Sequence, residues 1–411
     1  MAENPAGRWD FLKGNIGVMI LSSGLWDIAF AMTWPFYALY VLELGGSYMD
    51  IGLISALGAV AKIAPTLFGG YLTDALGRKR ILYTLSFLLA VNELIYAYAP
   101  DYRYIYVGAV VGSLLHGFRE PAFQSIIFDS TKPESRALSV ATLQVTSSLF
   151  GLLSPYAVGL LIDDRGILPA MRFAYVFTFA MATVASLMRY RFIEETLENG
   201  RSVEKDPRAA VREILSDFVA TFRELPVQLW TFLLIDFVIT FAWAVGEPYF
   251  VTYAKEVVGL SAAQWGLATM LTMALPIVLK LPLARASDRH GRIMFILPCM
   301  FLWPIGFLLF AYSWGFQAIL AARLLLTLAS SIGDPAWEAM FYDYSPKEYR
   351  GRFAAIASVS WSLIWGAGNI VGGAIYGGHS KALIFYISAG LLLLGALAAF
   401  LKVKEPERRA D

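Results

Sequence analysis

The feature that constrains this chain most is a series of apolar stretches, each about 20 residues long, that recurs from near one end to near the other. Twelve of them lie at about 14–42, 48–72, 81–100, 104–129, 138–162, 171–193, 226–253, 263–286, 292–312, 317–343, 353–377 and 381–401. At a rise of ~1.5 Å per residue, each is long enough to cross ~30 Å of hydrocarbon as a helix. Hydrocarbon offers no partner for backbone amides and carbonyls, which leaves helices or a closed barrel. The stretches do not alternate apolar with polar residues, and they exceed the roughly ten residues of a barrel strand, so helices are the reading. Composition agrees: only 16% of residues are charged and 58% are hydrophobic, against about 25% charged in an average soluble chain. The expected fold class is an all-α polytopic membrane protein with 12 transmembrane helices.

Basic residues orient the bundle. An even number of spans puts both termini on one side, and Lys and Arg gather on the cytoplasmic side. Of the 33 Lys and Arg, 24 fall in segments on the side of the termini, Arg189 and Arg191 at the end of the sixth stretch among them. Five (Arg103, Arg165, Arg172, Lys255 and Lys381) fall on the other side, and Lys62, Arg119, Lys280 and Arg323 lie inside stretches. Both termini are expected in the cytoplasm, and no cleavable signal is expected in the polar residues 1–13. The one long hydrophilic segment, 194–225, reads as a cytoplasmic linker between an N-terminal bundle, 1–193, and a C-terminal bundle, 226–411. The single cysteine, Cys299, excludes an intramolecular disulfide and a Cys-rich metal site. A net charge of +1 gives no electrostatic case for nucleic acid.

The two halves repeat each other. Asp74-Ala-Leu-Gly77-Arg78 returns 214 residues later as Asp288-Arg-His-Gly291-Arg292. The same offset links Glu120-Pro121-Ala122 with Asp334-Pro335-Ala336, Asp129 with Asp343, Glu134 with Glu348, and Arg136 with Arg350. Near the start of each half the offset is 213, taking Pro35, Tyr40 and Glu43 to Pro248, Tyr253 and Glu256. Two pseudo-symmetric six-helix bundles follow. The segment Gly70-Tyr-Leu72-Thr-Asp74-Ala-Leu-Gly77-Arg78-Lys79-Arg80 closely resembles the loop motif between helices 2 and 3 of the major facilitator superfamily (MFS) of secondary transporters. The likeness covers essentially the whole chain.

The resemblance implies a latch on the cytoplasmic side, built from Gly70, Asp74, Gly77, Arg78, Asp129, Glu134 and Arg136 and from Asp288, Gly291, Arg292, Asp343, Glu348 and Arg350. The plainer alternative is a topogenic turn with solvated loop charges. Physically, Gly77 and Gly291 permit a tight reversal, and Asp74 and Asp288 are placed to satisfy free amides of the next helix.

Ionisable residues inside spans are costly in hydrocarbon and mark functional or paired positions. Asp27, His116, Arg119, Glu120, Asp236, Glu247, Asp334 and Glu338 are the candidates for proton coupling or substrate binding. They sit on helices 1, 4, 7 and 10, which line the central cavity in the family; helices 6, 9 and 12 show no central charge, and Glu93 on helix 3 breaks the pattern. Asp334 and Glu338 are four apart and share a face, so two carboxylates in a low dielectric would favour one proton between them. The alternative is simple pairing, Asp27 with Lys62, Asp236 with Lys280, and Arg119 or Arg323 with a nearby acid. Pro35, Pro121, Pro248 and Pro335 are expected to bend their helices. Glycines around Gly151 on helix 5 and Gly372 on helix 11 suit close helix packing. Trp26, Trp34, Trp243, Trp337, Trp361 and Trp365 offer aromatic faces that suit organic cations, or else anchor the helices in the bilayer.

Secondary active transport of a small-molecule substrate by alternating access is the function this pattern implies. An excess of buried acids over bases favours proton-coupled antiport, with export of an organic cation or lipophilic drug-like compound. Proton-coupled symport of a sugar or other nutrient is the alternative, and a transport-inactive receptor or scaffold on the same fold is the alternative of another class. No enzyme is expected, since no HExxH, Gly-x-Ser-x-Gly or nucleotide-binding glycine loop occurs. No cofactor and no metal are expected. The protein is expected in the plasma membrane as a monomer, with protons and the lipid bilayer as partners.

Overall fold

A computed structural model describes residues 14–132, 136–197, 227–344 and 350–405, and gives the backbone alone for 136–138, 281, 284, 288 and 350–352. Among the described residues eleven helices are long and apolar enough to cross a membrane, and there is no strand. In the first half they are α1 (Asn15–Glu43), α2 (Tyr48–Leu76), α3 (Arg78–Ala97), α5 (Ser139–Arg165) and α6 (Ile167–Phe192). In the second half they are α7 (Val227–Glu256), α8 (Ala262–His290), α9 (Ile293–Ala311), α10 (Phe316–Tyr344), α11 (Arg350–Gly378) and α12 (Leu383–Lys402). The remaining expected span, α4 (Arg103–Asp129), is a 27-residue helix that carries Arg119 and Glu120 within it. The chain is a multi-pass integral membrane protein.

Two compact units emerge. One holds the described residues of Met1–Gly45 and Ala61–Pro207, the other those of Gly46–Val60 and Arg208–Asp411. Within the first unit α1 packs on α5 and α6, α3 on α4 and α6, and the Ile63–Leu76 part of α2 on α4. Within the second, α7 packs on α11 and α12, α9 on α10 and α12, and α8 on α10. The five pairings of one unit are the five of the other, so the sequence repeat is also a packing repeat. The second unit takes in 46–60 as well: Tyr48 Oη donates to Glu256 Oε2 at 2.8 Å, and Lys381 Nζ reaches the same oxygen at 2.5 Å. Burial opposes the charge on Lys381, but its hydrogen bonds and the Glu256 carboxylate outweigh it and raise its pKa.

Local chemistry explains the breaks. Proline has no amide donor, so a helix loses a bond there. A 3₁₀ turn, Trp34–Phe36, interrupts α1 at Pro35, and Glu247–Tyr249 interrupts α7 at Pro248. Pro121 and Pro335 act differently: α4 and α10 run unbroken through both. Beyond the Pro35 and Pro248 turns the repeated tyrosines act as pins. Tyr40 Oη donates to the Tyr96 carbonyl and Tyr253 Oη to the Ala311 carbonyl, each at 2.7 Å, tying the end of α1 to α3 and of α7 to α9.

Glycine decides how closely the helices meet. A Cβ on Gly151 of α5 would lie 2.6 Å from the Asp27 carbonyl oxygen of α1, and one on Gly372 of α11 would lie 2.3 Å from the Val245 carbonyl oxygen of α7. Both helix pairs are in backbone contact, which supports the packing reading of these residues.

Candidate functional site

The loops after α2 and α8 have one geometry. Gly77 (φ 92°, ψ 139°) and Gly291 (φ 96°, ψ 146°) lie where only glycine is at ease. Arg78 pairs with Asp129, and Arg292 Nη1 lies 3.0 Å from Asp343 Oδ2. These ion pairs link the start of α3 to the end of α4, and the start of α9 to the end of α10. Asp74 is largely exposed and meets Arg78 only at 4.0 Å, while Gly70 faces open space. The side chains of Arg136, Asp288 and Arg350, and all of Glu134 and Glu348, lie outside the described residues.

One expectation is corrected here. Asp74 sits in the last turn of α2 and does not cap the following helix. The free amides of Arg78 and Lys79 are taken by the Glu195 carboxylate at 3.2 and 3.1 Å, and those of Arg292 and Ile293 by Glu405 at 2.9 and 3.0 Å. A carboxylate at a helix N-terminus satisfies orphan donors and the positive dipole end together. The partner comes from the segment after α6 or α12, more than a hundred residues away, where local reading has no reach. A signal existed: Glu195 and Glu405 are 210 apart, four off the register of the loop motif.

Buried ionisable groups form a separate node in each unit. In the second, Asp236 of α7 is 7% exposed. Its Oδ1 accepts from the indole Nε1 of Trp337 on α10 at 2.8 Å, and its Oδ2 accepts from Trp361 Nε1 on α11. Phe232, one turn earlier on α7, stacks on Trp337 with centroids 4.1 Å apart. The alternative pairing of Asp236 with Lys280 is therefore replaced by two indole donors. Asp334 and Glu338 share a face of α10 and act on each other through space, and Lys280 is within electrostatic reach of Asp334. Glu247 is half-buried, with Oε2 enclosed and without a hydrogen-bond partner. The charge of Arg323 acts on it through space, and the Arg323 guanidinium carbon lies 4.3 Å from the Trp265 ring centroid.

In the first unit the node is basic. Arg119 of α4 is 5% exposed and Arg189 of α6 is 1% exposed. Arg189 donates through Nε to Ser22 Oγ at 3.0 Å and through Nη1 to Ser86 Oγ at 2.7 Å. Its burial corrects one expectation, that it belongs among the loop charges. It was misread because it stands one turn before the helix end, where a long side chain ordinarily reaches out to water. Asp27 lies within reach of Ser147 and of the Arg189 charge, not of Lys62. Glu120 accepts from Gln124 Nε2 at 2.8 Å, and His116 is half-buried beside the charges of Arg119 and Lys62.

A duplicated twelve-helix bundle with polar nodes at span depth defines a class, the polytopic membrane transporters. The family model described as Major Facilitator Superfamily matches residues 19–275 and 232–411, and the chain belongs to that superfamily. It is 26% identical over 383 residues to "Uncharacterized MFS-type transporter YhjO" of Bacillus subtilis, covering 92% of this chain and 90% of that one. To "Multidrug resistance protein MdtG" of Salmonella typhi it is 25% identical over 406 residues, 94% of each chain. Among solved structures, the inward open xylose transporter XylE from E. coli superposes with a TM-score of 0.73 at 17% identity, covering 96% of this chain and 97% of that one. That last likeness speaks for the fold alone.

Proposed function

We propose that this protein is a proton-coupled antiporter of the plasma membrane, with both termini cytoplasmic, that exports lipophilic drug-like compounds as a monomer. The observation that carries the reading is Asp236, a carboxylate buried in α7 whose two oxygens hold indoles of α10 and α11. Protonation removes its charge and makes one oxygen a hydroxyl that must find its own acceptor, so both indole bonds lose their charge assistance and the weaker acceptor loosens. Charge-assisted bonds are worth about 1.5–3 kcal/mol each. One proton thus changes how three helices of the unit are tied together, which is what coupling requires. The multidrug-resistance relatives support the drug-like cargo. The burial of Arg189 reduces the excess of acids on which a purely cationic cargo rested, so the cargo is lipophilic with no fixed sign.

The test uses protein reconstituted in vesicles under an imposed pH gradient. Cargo is drawn from a thermal-shift panel of ethidium, tetraphenylphosphonium, glucose and 2-naphthoate. Cargo moving against protons, with Asp236→Asn slowing pH-driven transport at least about tenfold, is the expected result. Cargo moving with protons would make the protein a symporter. Binding without any flux would make it a receptor. Unchanged pH-driven transport in Asp236→Asn would remove the coupling role.

A further inference from the structure

The first unit holds two guanidiniums that no carboxylate neutralises directly. Among the described residues neither Arg119 nor Arg189 forms an ion pair, and Arg189 donates to two serine hydroxyls, which carry no charge. Arg119 is less well served still: its Nε and Nη1 are enclosed and have no hydrogen-bond partner. Guanidinium does not discharge itself by losing a proton, and an unpaired buried charge is expensive in a membrane. The neighbouring acids do not fill the gap. Glu120 follows Arg119 directly and so projects about 100° around the helix, where it takes Gln124 and acts on Arg119 and Arg189 only through space, without an ion pair to either. Asp27 acts on Arg189 through space while lying against Ser147.

The surroundings specify what would fit. The Arg119 guanidinium carbon is 5.2 Å from the Trp26 ring and 5.8 Å from the Phe123 ring, and that of Arg189 is 5.7 Å from Phe123 on its own approach. Phe123 also packs on a buried cluster that includes Met19, Ile20, Leu82 and Ala122. Charge-assisted donors beside aromatic faces and an apolar floor match an oxyanion joined to a flat apolar body. A second observation points to the same place. Phe123 is the repeat counterpart, at 214 residues, of Trp337, which donates to Asp236 in the other unit.

We infer that Arg119, with Arg189 behind it, is a binding site for the carboxylate of an aromatic, amphiphilic substrate. The inference rests on the transport reading, since it names the substrate class, and its test needs no gradient. Thermal shift and equilibrium binding on the purified full-length protein in detergent compare 2-naphthoate, indole-3-acetate and 4-phenylbutyrate with their amides, which have the same shape and no charge. The acids are expected to stabilise the protein where the amides do not. Arg119→Gln should weaken acid binding about tenfold or more, and Arg119→Lys should fall between, since it keeps the charge and loses the fork. Acids and amides behaving alike, including no response to either, would overturn the proposal. So would an Arg119→Gln protein that binds the acids as before. The acid–amide comparison on the unmodified protein keeps the test decisive if Arg119→Gln does not fold. A failure here leaves proton coupling at Asp236 standing, and a failed vesicle assay leaves carboxylate binding standing.

Discussion

The polar nodes of the two units occupy matching positions and carry opposite charge. Asp236, Trp337 and Trp361 stand 213, 214 and 214 residues after Ser23, Phe123 and Ser147. In the second unit these positions give an anion between two indoles; in the first they give a small hydroxyl, the ring between two arginines, and the serine beside Asp27. The reverse holds for the residues that seat Arg189. The backbone bonds Ile193 N–H to Arg189 C=O and Val403 N–H to Ala399 C=O close α6 and α12 in the same way, which equates Arg189 with Ala399. Ser22 and Ser86 correspond to Ile235 and Met300, and all three counterparts are buried and apolar. Duplication kept the scaffold and exchanged the chemistry. A pseudo-symmetric pair of bundles can hold a carboxylate in one and guanidiniums in the other because the packing depends on glycines, prolines and ion pairs elsewhere.

If that division between scaffold and chemistry is right, changes to the scaffold should act alike in both units. The largest effect is expected from Gly151→Val and Gly372→Val, which push a side chain against a carbonyl of the facing helix. Each should cost more than about 3 kcal/mol, read as loss of the folded peak in size-exclusion chromatography, and a benign result in one unit alone would break the equivalence. A smaller and one-sided effect is expected at the basic node. Ser22→Ala with Ser86→Ala removes both hydroxyls bound to Arg189 and should lower stability by about 2 kcal/mol; the counterpart pair Ile235→Ala with Met300→Ala loses packed volume instead and should cost about 2 kcal/mol or more per site. Comparing urea unfolding with and without 2-naphthoate separates the two, because ligand should rescue only the first pair. The smallest effect is expected from Glu195→Gln and Glu405→Gln. Each weakens an N-terminal carboxylate cap by about 1 kcal/mol or less, and near-equal falls in melting temperature would confirm that the two caps are one device.

Much of this was legible because the bilayer is a demanding solvent. Twelve stretches of the right length, the 214-residue register and the glycine–arginine turns required no coordinates, since each follows from backbone hydrogen bonding or from local sterics. Asp129 and Asp343 were marked by the register alone, and the structure gives them their arginine partners. Pro35 and Pro248 replace a helical turn with a 3₁₀ turn, while the hydrogen-bonded helices continue through Pro121 and Pro335.

Tertiary structure decided the partners. No spacing rule joins Glu195 to the α3 amides, Arg189 to Ser22 and Ser86, or Asp236 to indoles on two other helices, since those contacts join residues from 101 to 167 positions apart or link segments after the last helix of a half to the loop motif. Helical period tells which residues share a face, and hydropathy tells which helices span, but neither tells which face meets which helix. For this chain the sequence determined the number of spans, the duplication and the family. Close packing then decided what meets each costly charge, as with Asp236 between two indoles and Arg189 between two serines.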